Sequence, residues 1–110
     1  MTTDPTQKLL VSWLDAAALR HRVICNNLAN SETPGFVRKT VSFDAQLAQA
    51  TSQSASITDD RSTPPRLDGN NIQVDQELAA LSQNALMQQM AVQLLQAKFS
   101  MNKIAATGKT

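Results

Sequence analysis

The chain has 110 residues, with ten basic and nine acidic side chains and only 4% aromatic residues. That length supplies one modest core, and a net charge of +1 argues against a nucleic-acid or anionic-membrane binder. A single cysteine excludes an internal disulfide scaffold, and no apolar run approaches the ~18 residues a membrane span needs.

The opening "MTTDPTQKLLVSWLDAAALRHR" has no basic start followed by a clean apolar stretch, so no cleaved secretory signal is expected. It reads as a helix start: Asp4 can cap, Pro5 fits the first helical position, and Gln7 stands three residues after the cap. Leu10, Leu14, Ala17, His21, Ile24 and Leu28 then recur at alternating spacings of 4 and 3, a heptad seam flanked by Leu9, Trp13, Ala16 and Val23. The helix should run to about Ala29, a length of about 37 Å at ~1.5 Å per residue. "NNLANSETPGF", residues 26–36, ends it. Asparagines there can satisfy or replace backbone partners, Thr33 is pushed toward extended geometry by Pro34, and Gly35 supplies a turn. Phe36 is the first bulky apolar side chain after the turn and the candidate anchor of the departing chain.

Residues 36–43, "FVRKTVSF", suit a short extended segment. Residues 44–50 offer about two turns of helix capped by Asp44. Residues 51–67, rich in Ser, Thr and Pro, offer almost nothing to bury and read as a mobile loop.

From Val74 or Asp75 to about Ala106 the helical pattern is uninterrupted by glycine or proline. Asp75 and Glu77 near its start and Lys98 and Lys103 near its end suit the helix dipole, and Gly108 is placed to stop it. Two apolar stripes run along it. One is Leu78, Leu81, Ala85, Gln88, Val92, Leu95, Phe99 and Asn102; the other is Ala80, Gln83, Met87, Met90, Leu94, Ala97, Met101 and Ile104. They are displaced by two residues, about 200° around the helix. One N-terminal helix can cover only one of them, and a helix apolar on two faces is buried within something larger.

The expected fold is therefore mainly α: an antiparallel coiled-coil hairpin of long N- and C-terminal helices, joined by a short extended segment and a flexible loop. It divides into residues 1–35, 36–73 and 74–110. Leu78, Leu81, Val92, Leu95 and Phe99 are expected against Leu10, Leu14, Ala17, Ile24 and Leu28 of the same chain. Met87, Met90, Leu94, Met101 and Ile104 are expected to face neighbouring subunits. The chain reads as an assembly component.

No catalytic constellation emerges. His21 is the lone histidine and sits on the seam, which is a structural position. Cys25 lies one turn further, but two ligands are too few for a structural zinc site. "TDDR" at 58–61 reads as a solvated turn, Arg38–Lys39 is too small a cluster for phosphate, and no glycine-rich nucleotide loop is present. The methionines fit heptad packing better than a peptide groove. No enzyme activity, cofactor, metal, nucleic acid or small-molecule substrate is expected. A helical-hairpin adaptor or export chaperone binding a partner helix would account for the stripes, but it gives no reason for the asparagine-rich ending.

That ending resembles the signature of the bacterial flagellar rod and hook proteins, N-N-[IL]-A-N-x-x-T-P-G-[FY] after an amphipathic helix. The matching positions are Asn26, Asn27, Leu28, Ala29, Asn30, Thr33, Pro34, Gly35 and Phe36. "RKTVSFDAQLAQA", "DGNNIQVDQELAAL" and "NALMQQMAVQLLQAKFSMNKIA" are further similar to the proximal-rod members, extending the likeness over about residues 5–50 and 68–106. The chain lacks the large middle domain of distal rod and hook members, and a second short proximal-rod type carries different text after the signature. His21, Arg22 and Cys25 acquire no role from the likeness.

The resemblance implies a structural subunit of the proximal rod of the basal body, part of the axial tube that transmits motor torque across the periplasm. Its implied partners are other copies, other rod subunits, the membrane-embedded ring and its rod adaptor, and the flagellar type III export apparatus, which exports such chains without a cleaved signal. On this view the signature fixes where the long helix ends and where the chain departs toward the next subunit.

Overall fold

The computed structural model describes residues 5–42 and 57–108. Two long helices, α1 (Pro5–Ala29) and α2 (Val74–Thr107), are linked through two short strands, β1 (Lys39–Val41) and β2 (Ile57–Asp59). The body is elongated, 64 × 24 × 17 Å. The expected cap at Asp4 and the short helix over 44–50 lie outside the described residues.

Local chemistry sets the helix ends. α1 begins at Pro5, whose missing N–H costs nothing in a first turn. It ends where the Asn30 N–H is shared between the carbonyls of Asn26 and Asn27, both at 3.1 Å, and the chain tightens into turns. α2 starts after Gln73, which has extended backbone and no side-chain cap, and carries Asp75 and Glu77 in its first turn. It stops at Gly108, whose left-handed conformation (φ 68°) lets its N–H reach the Ile104 carbonyl at 2.8 Å.

The helices run antiparallel, since Asn27 meets Glu77 while Ala17 meets Asn84. From the Asn27–Glu77 contact, α1 runs back 22 residues to Pro5 and α2 runs forward 30 to Thr107. The same count from the Ala17–Asn84 contact gives 12 and 23 residues, so α2 projects 8 to 11 residues, about 12–17 Å, beyond the described part of α1.

Burial on α1 follows the expected seam except at His21, which is exposed. Leu10, Ala16, Ala17, Val23 and Ile24 are buried, and Leu14 and Leu28 are half-buried. On α2 the buried line is different: Glu77, Asn84 and Ala91, each seven residues apart. α1 thus lies between the two apolar stripes instead of on the first. Leu81 and Leu95 flank the contact half-buried, whereas Leu78, Val92 and Phe99 stay exposed. Small residues explain the setting, because Ala16, Ala17 and Ala91 let the backbones approach, and Glu77 and Asn84 find polar partners there.

The stretch expected as a mobile loop takes specific structure from residue 57 onward. β2 pairs with β1 antiparallel, in the register Lys39↔Asp59, Thr40↔Thr58 and Val41↔Ile57. All three β2 residues are exposed, so backbone pairing and charge hold it, with almost no burial.

Candidate functional site

Two features remain once the hairpin is assembled: a polar junction where the helices meet the strands, and the apolar flanks of α2.

The junction begins with the asparagines at the end of α1. Asn27 is fully buried. Its Oδ1 accepts the Lys39 N–H at 3.0 Å, and its Nδ2 donates to the Lys39 carbonyl at 2.8 Å and to Glu77 Oε2 at 3.3 Å. One side chain therefore stands in for a neighbouring strand along β1 and ties it to both helices. Asn30 works locally, donating to the Asn26 carbonyl at 2.8 Å and accepting the Thr33 hydroxyl at 3.0 Å.

The turn through Pro34 and Gly35 does not leave the subunit; it closes on "DGNN", residues 68–71. Gly35 N–H reaches the Asp68 carbonyl at 2.7 Å, and Asn71 N–H reaches the Phe36 carbonyl at 3.4 Å. Asn70 is fully buried and donates to the carbonyls of Asn30 and Thr33, each at 2.8 Å, while its Oδ1 accepts the Ile72 N–H at 2.7 Å. Asn71 accepts the Arg38 N–H and donates to the Asp60 carbonyl, both at 2.7 Å. Gly69 has φ +84°, and a Cβ there would sit 3.2 Å from the Gly35 Cα, so glycine meets glycine where the two turns touch. Phe36 itself is half-buried beside these turns.

Charge closes the junction. Arg38 bridges Glu77 on α2 and Asp60 just past β2. Burial works against the Arg38 charge, but the hydrogen bonds and fields of Glu77 and Asp60 outweigh it and raise its pKa. Asp60 is held below the usual carboxylate range, first by hydrogen bonds from Ser62 and then by Arg38. Asp59, the cross-strand partner of Lys39, is lowered chiefly by its hydrogen bond with that lysine. The acids of "TDDR" are thus tied into the fold instead of forming a solvated turn, and Arg38–Lys39 spends its charge on the chain's own carboxylates. Arg66 adds a further tie, donating to the carbonyls of Ile72 and Ser31.

Sequence reading missed Arg38, Asn70, Asn71, Glu77 and Asn84. The Asx-type spacing of "DGNN" was the available signal, since Asn70 and Asp68 each bond a backbone N–H two residues on.

The flanks lie on either side of α1. Leu78, Val92 and Phe99 are exposed along one, and Met90, Leu94, Met101 and Ile104 along the other, with Met101 at 62%. Met87 is half-buried at the edge of the second. Leu86, at 65%, is a further exposed apolar side chain on α2. Elsewhere, His21 and Cys25 sit exposed one turn apart, with Nε2 3.7 Å from Sγ. Among the described residues no group of three or more His, Cys, Asp or Glu side chains could hold a metal ion, and no helix is long and apolar enough to cross a membrane. The arrangement is a hydrogen-bonded joint beside two exposed apolar stripes.

No family model matches the chain. It is 34% identical to the flagellar basal body rod protein FlgB of Bacillus subtilis over 117 aligned positions, covering 90% of this chain and 91% of that protein. It is 28% identical to FlgB of Yersinia enterocolitica over 108 positions (74% and 79% covered) and 29% identical to FlgB of Borrelia hermsii over 102 (68% and 76%).

Proposed function

The chain belongs to the FlgB family of flagellar basal body rod proteins, and from that premise we propose how it bears load: the junction makes each hairpin rigid, and the two flanks of α2 seat neighbouring subunits on both sides. It is a structural subunit of the proximal rod, not an enzyme, and it assembles with other rod subunits in the basal body. Torque passes between subunits through interdigitated apolar side chains that are stiff along the helix axis. Leu78, Val92 and Phe99 meet one neighbour; Met87, Met90, Leu94, Met101 and Ile104 meet the other. The observation that carries this reading is the pair of exposed apolar stripes left on either side of α1.

The reading extends to the rod's surroundings. At the base the subunit touches the membrane-embedded ring and its adaptor, and it reaches the periplasm unfolded through the flagellar type III apparatus. The intrachain seam suits such a route: its central line on α2 is Glu77, Asn84 and Ala91, which gives little apolar burial to hold the chain folded during transit.

Replacing Leu94, 47% exposed on the second flank, with aspartate tests the docking claim. A buried unpaired carboxylate at a subunit contact is strongly unfavourable, so rods should fail to form and swimming should be lost while the variant is still secreted. Normal rods and full motility in Leu94→Asp would overturn the proposal.

A further inference from the structure

We infer that Asn84 is the register pin of the hairpin: its amide fits against α1 only opposite Ala17, and so fixes which turn of α1 meets which turn of α2. Asn84 is fully buried at the middle of the helix contact. Its Nδ2 donates to the Ala17 carbonyl at 2.9 Å, and its Oδ1 is buried with no partner among the described residues. A carbonyl inside a helix already accepts one backbone N–H and offers a second lone pair. A side chain reaches that lone pair only where the facing helix carries a small residue. Ala16 and Ala17, at 1% and 0% exposure, provide that notch.

The notch occurs once along the α1 seam. The other apolar seam positions that are at least half-buried are Leu10, Leu14, Ile24 and Leu28. A slip of one heptad would set Leu10 or Ile24 opposite Asn84, and a slip of half a heptad toward the N-terminus of α1 would set Leu14 there. In each case the amide loses its hydrogen bond and is buried with donor and acceptor both unmet, which disfavours the slipped state. Beyond the junction, apolar residues on α1 and on both stripes of α2 do not by themselves distinguish one register from the next, and Asn84 supplies the distinction there. Asn27 and Glu77 set the register at the first turn of α2, and Asn84 sets it a second time about 10 Å further along. The polar contact costs stability and returns a single arrangement, so that the flanks always face outward in the same place.

A cycle of full-length variants tests this. Ala17→Leu fills the notch and strands the Asn84 amide, so it should lower the urea midpoint followed by circular dichroism. Adding Asn84→Ala to Ala17→Leu should restore most of the midpoint, because the introduced leucine then fills the space the amide leaves and no buried polar group is unmet. The doubly substituted chain should nonetheless give a broad, concentration-dependent mass by light scattering, and should not regain swimming when it replaces the parent in cells. Stability returning without function is the signature of a lost register. Failure of Asn84→Ala to rescue Ala17→Leu would overturn the inference. So would a doubly substituted chain of the parent's mass that swims as the parent does.

Discussion

Asn27 concentrates the logic of the junction in one side chain. Its amide pairs with both backbone groups of Lys39, as a strand would, and also donates to the buried Glu77 carboxylate. Alanine at this position would leave a backbone N–H, a backbone carbonyl and a carboxylate oxygen short of partners inside the fold. Unmet buried groups of this kind cost about 1–3 kcal/mol each, partly relieved by relaxation and water, so Asn27→Ala should lower stability by about 2–3 kcal/mol. Asn27→Asp is the sharper probe, because it keeps the shape but replaces the donor with a second negative charge facing Glu77. Urea unfolding should place Asn27→Asp at or below Asn27→Ala. An aspartate variant close to the parent would show that the Nδ2 donor contributes nothing.

At the scale of elements, the strands persist because the charges beside them are satisfied. β2 has no buried residue, and a two-stranded sheet is marginal by itself. Arg38 fastens it by bonding Asp60 beyond β2 and Glu77 on α2 at once. The pH dependence follows from Asp60, whose folded pKa lies below its unfolded value. Its contribution is complete above the unfolded value of about 3.9 and is lost as pH falls through the lowered folded pKa. The urea midpoint should therefore drop steeply below about pH 4. Asp60→Asn, which cannot titrate, should start lower at pH 7 and fall less over the acid window. Parallel curves would show that Asp60 does not fasten β2. The same elements mark what the sequence could tell. The ends of α1 and α2 were readable because Pro5, Pro34 and Gly108 act within one turn of themselves. β2 was not, since its hold comes from pairing across the chain with Arg38 and Lys39. The signature was legible as a helix stop; that Asn30 and Thr33 offer carbonyls to Asn70, 37 to 40 residues away, was not. The rotation of α2 was hidden for a similar reason. Counting apolar residues puts Glu77 and Asn84 off the contact face, whereas specific hydrogen bonds put them at its centre.

For the whole molecule, stability is graded along the long axis. The junction end gathers four buried polar side chains, Asn27, Asn70, Asn71 and Glu77, with Val41 and Ile72 packed beside them. Midway, the helices meet through Asn84 and three alanines. At the far end α2 outruns the described part of α1, and Phe99, Met101 and Ile104 stand 50%, 62% and 44% exposed with no facing helix among the described residues. A helix segment without tertiary burial frays, because an isolated helix of about two to three turns is not stable in water. Amide hydrogen exchange on the isolated subunit should therefore run in order: slowest over residues 23–30 and 70–80, intermediate through the middle of α2, and near unprotected rates beyond about residue 99. Assembly into rods should slow exchange most at that distal end, where neighbouring subunits supply the missing apolar contacts, and change the junction least. Equal protection along α2 in the free subunit would mean that the projecting turns find cover within the chain. An assembled rod in which the distal end still exchanged freely would separate the overhang from the load path, leaving the flanks beside α1 to carry torque alone.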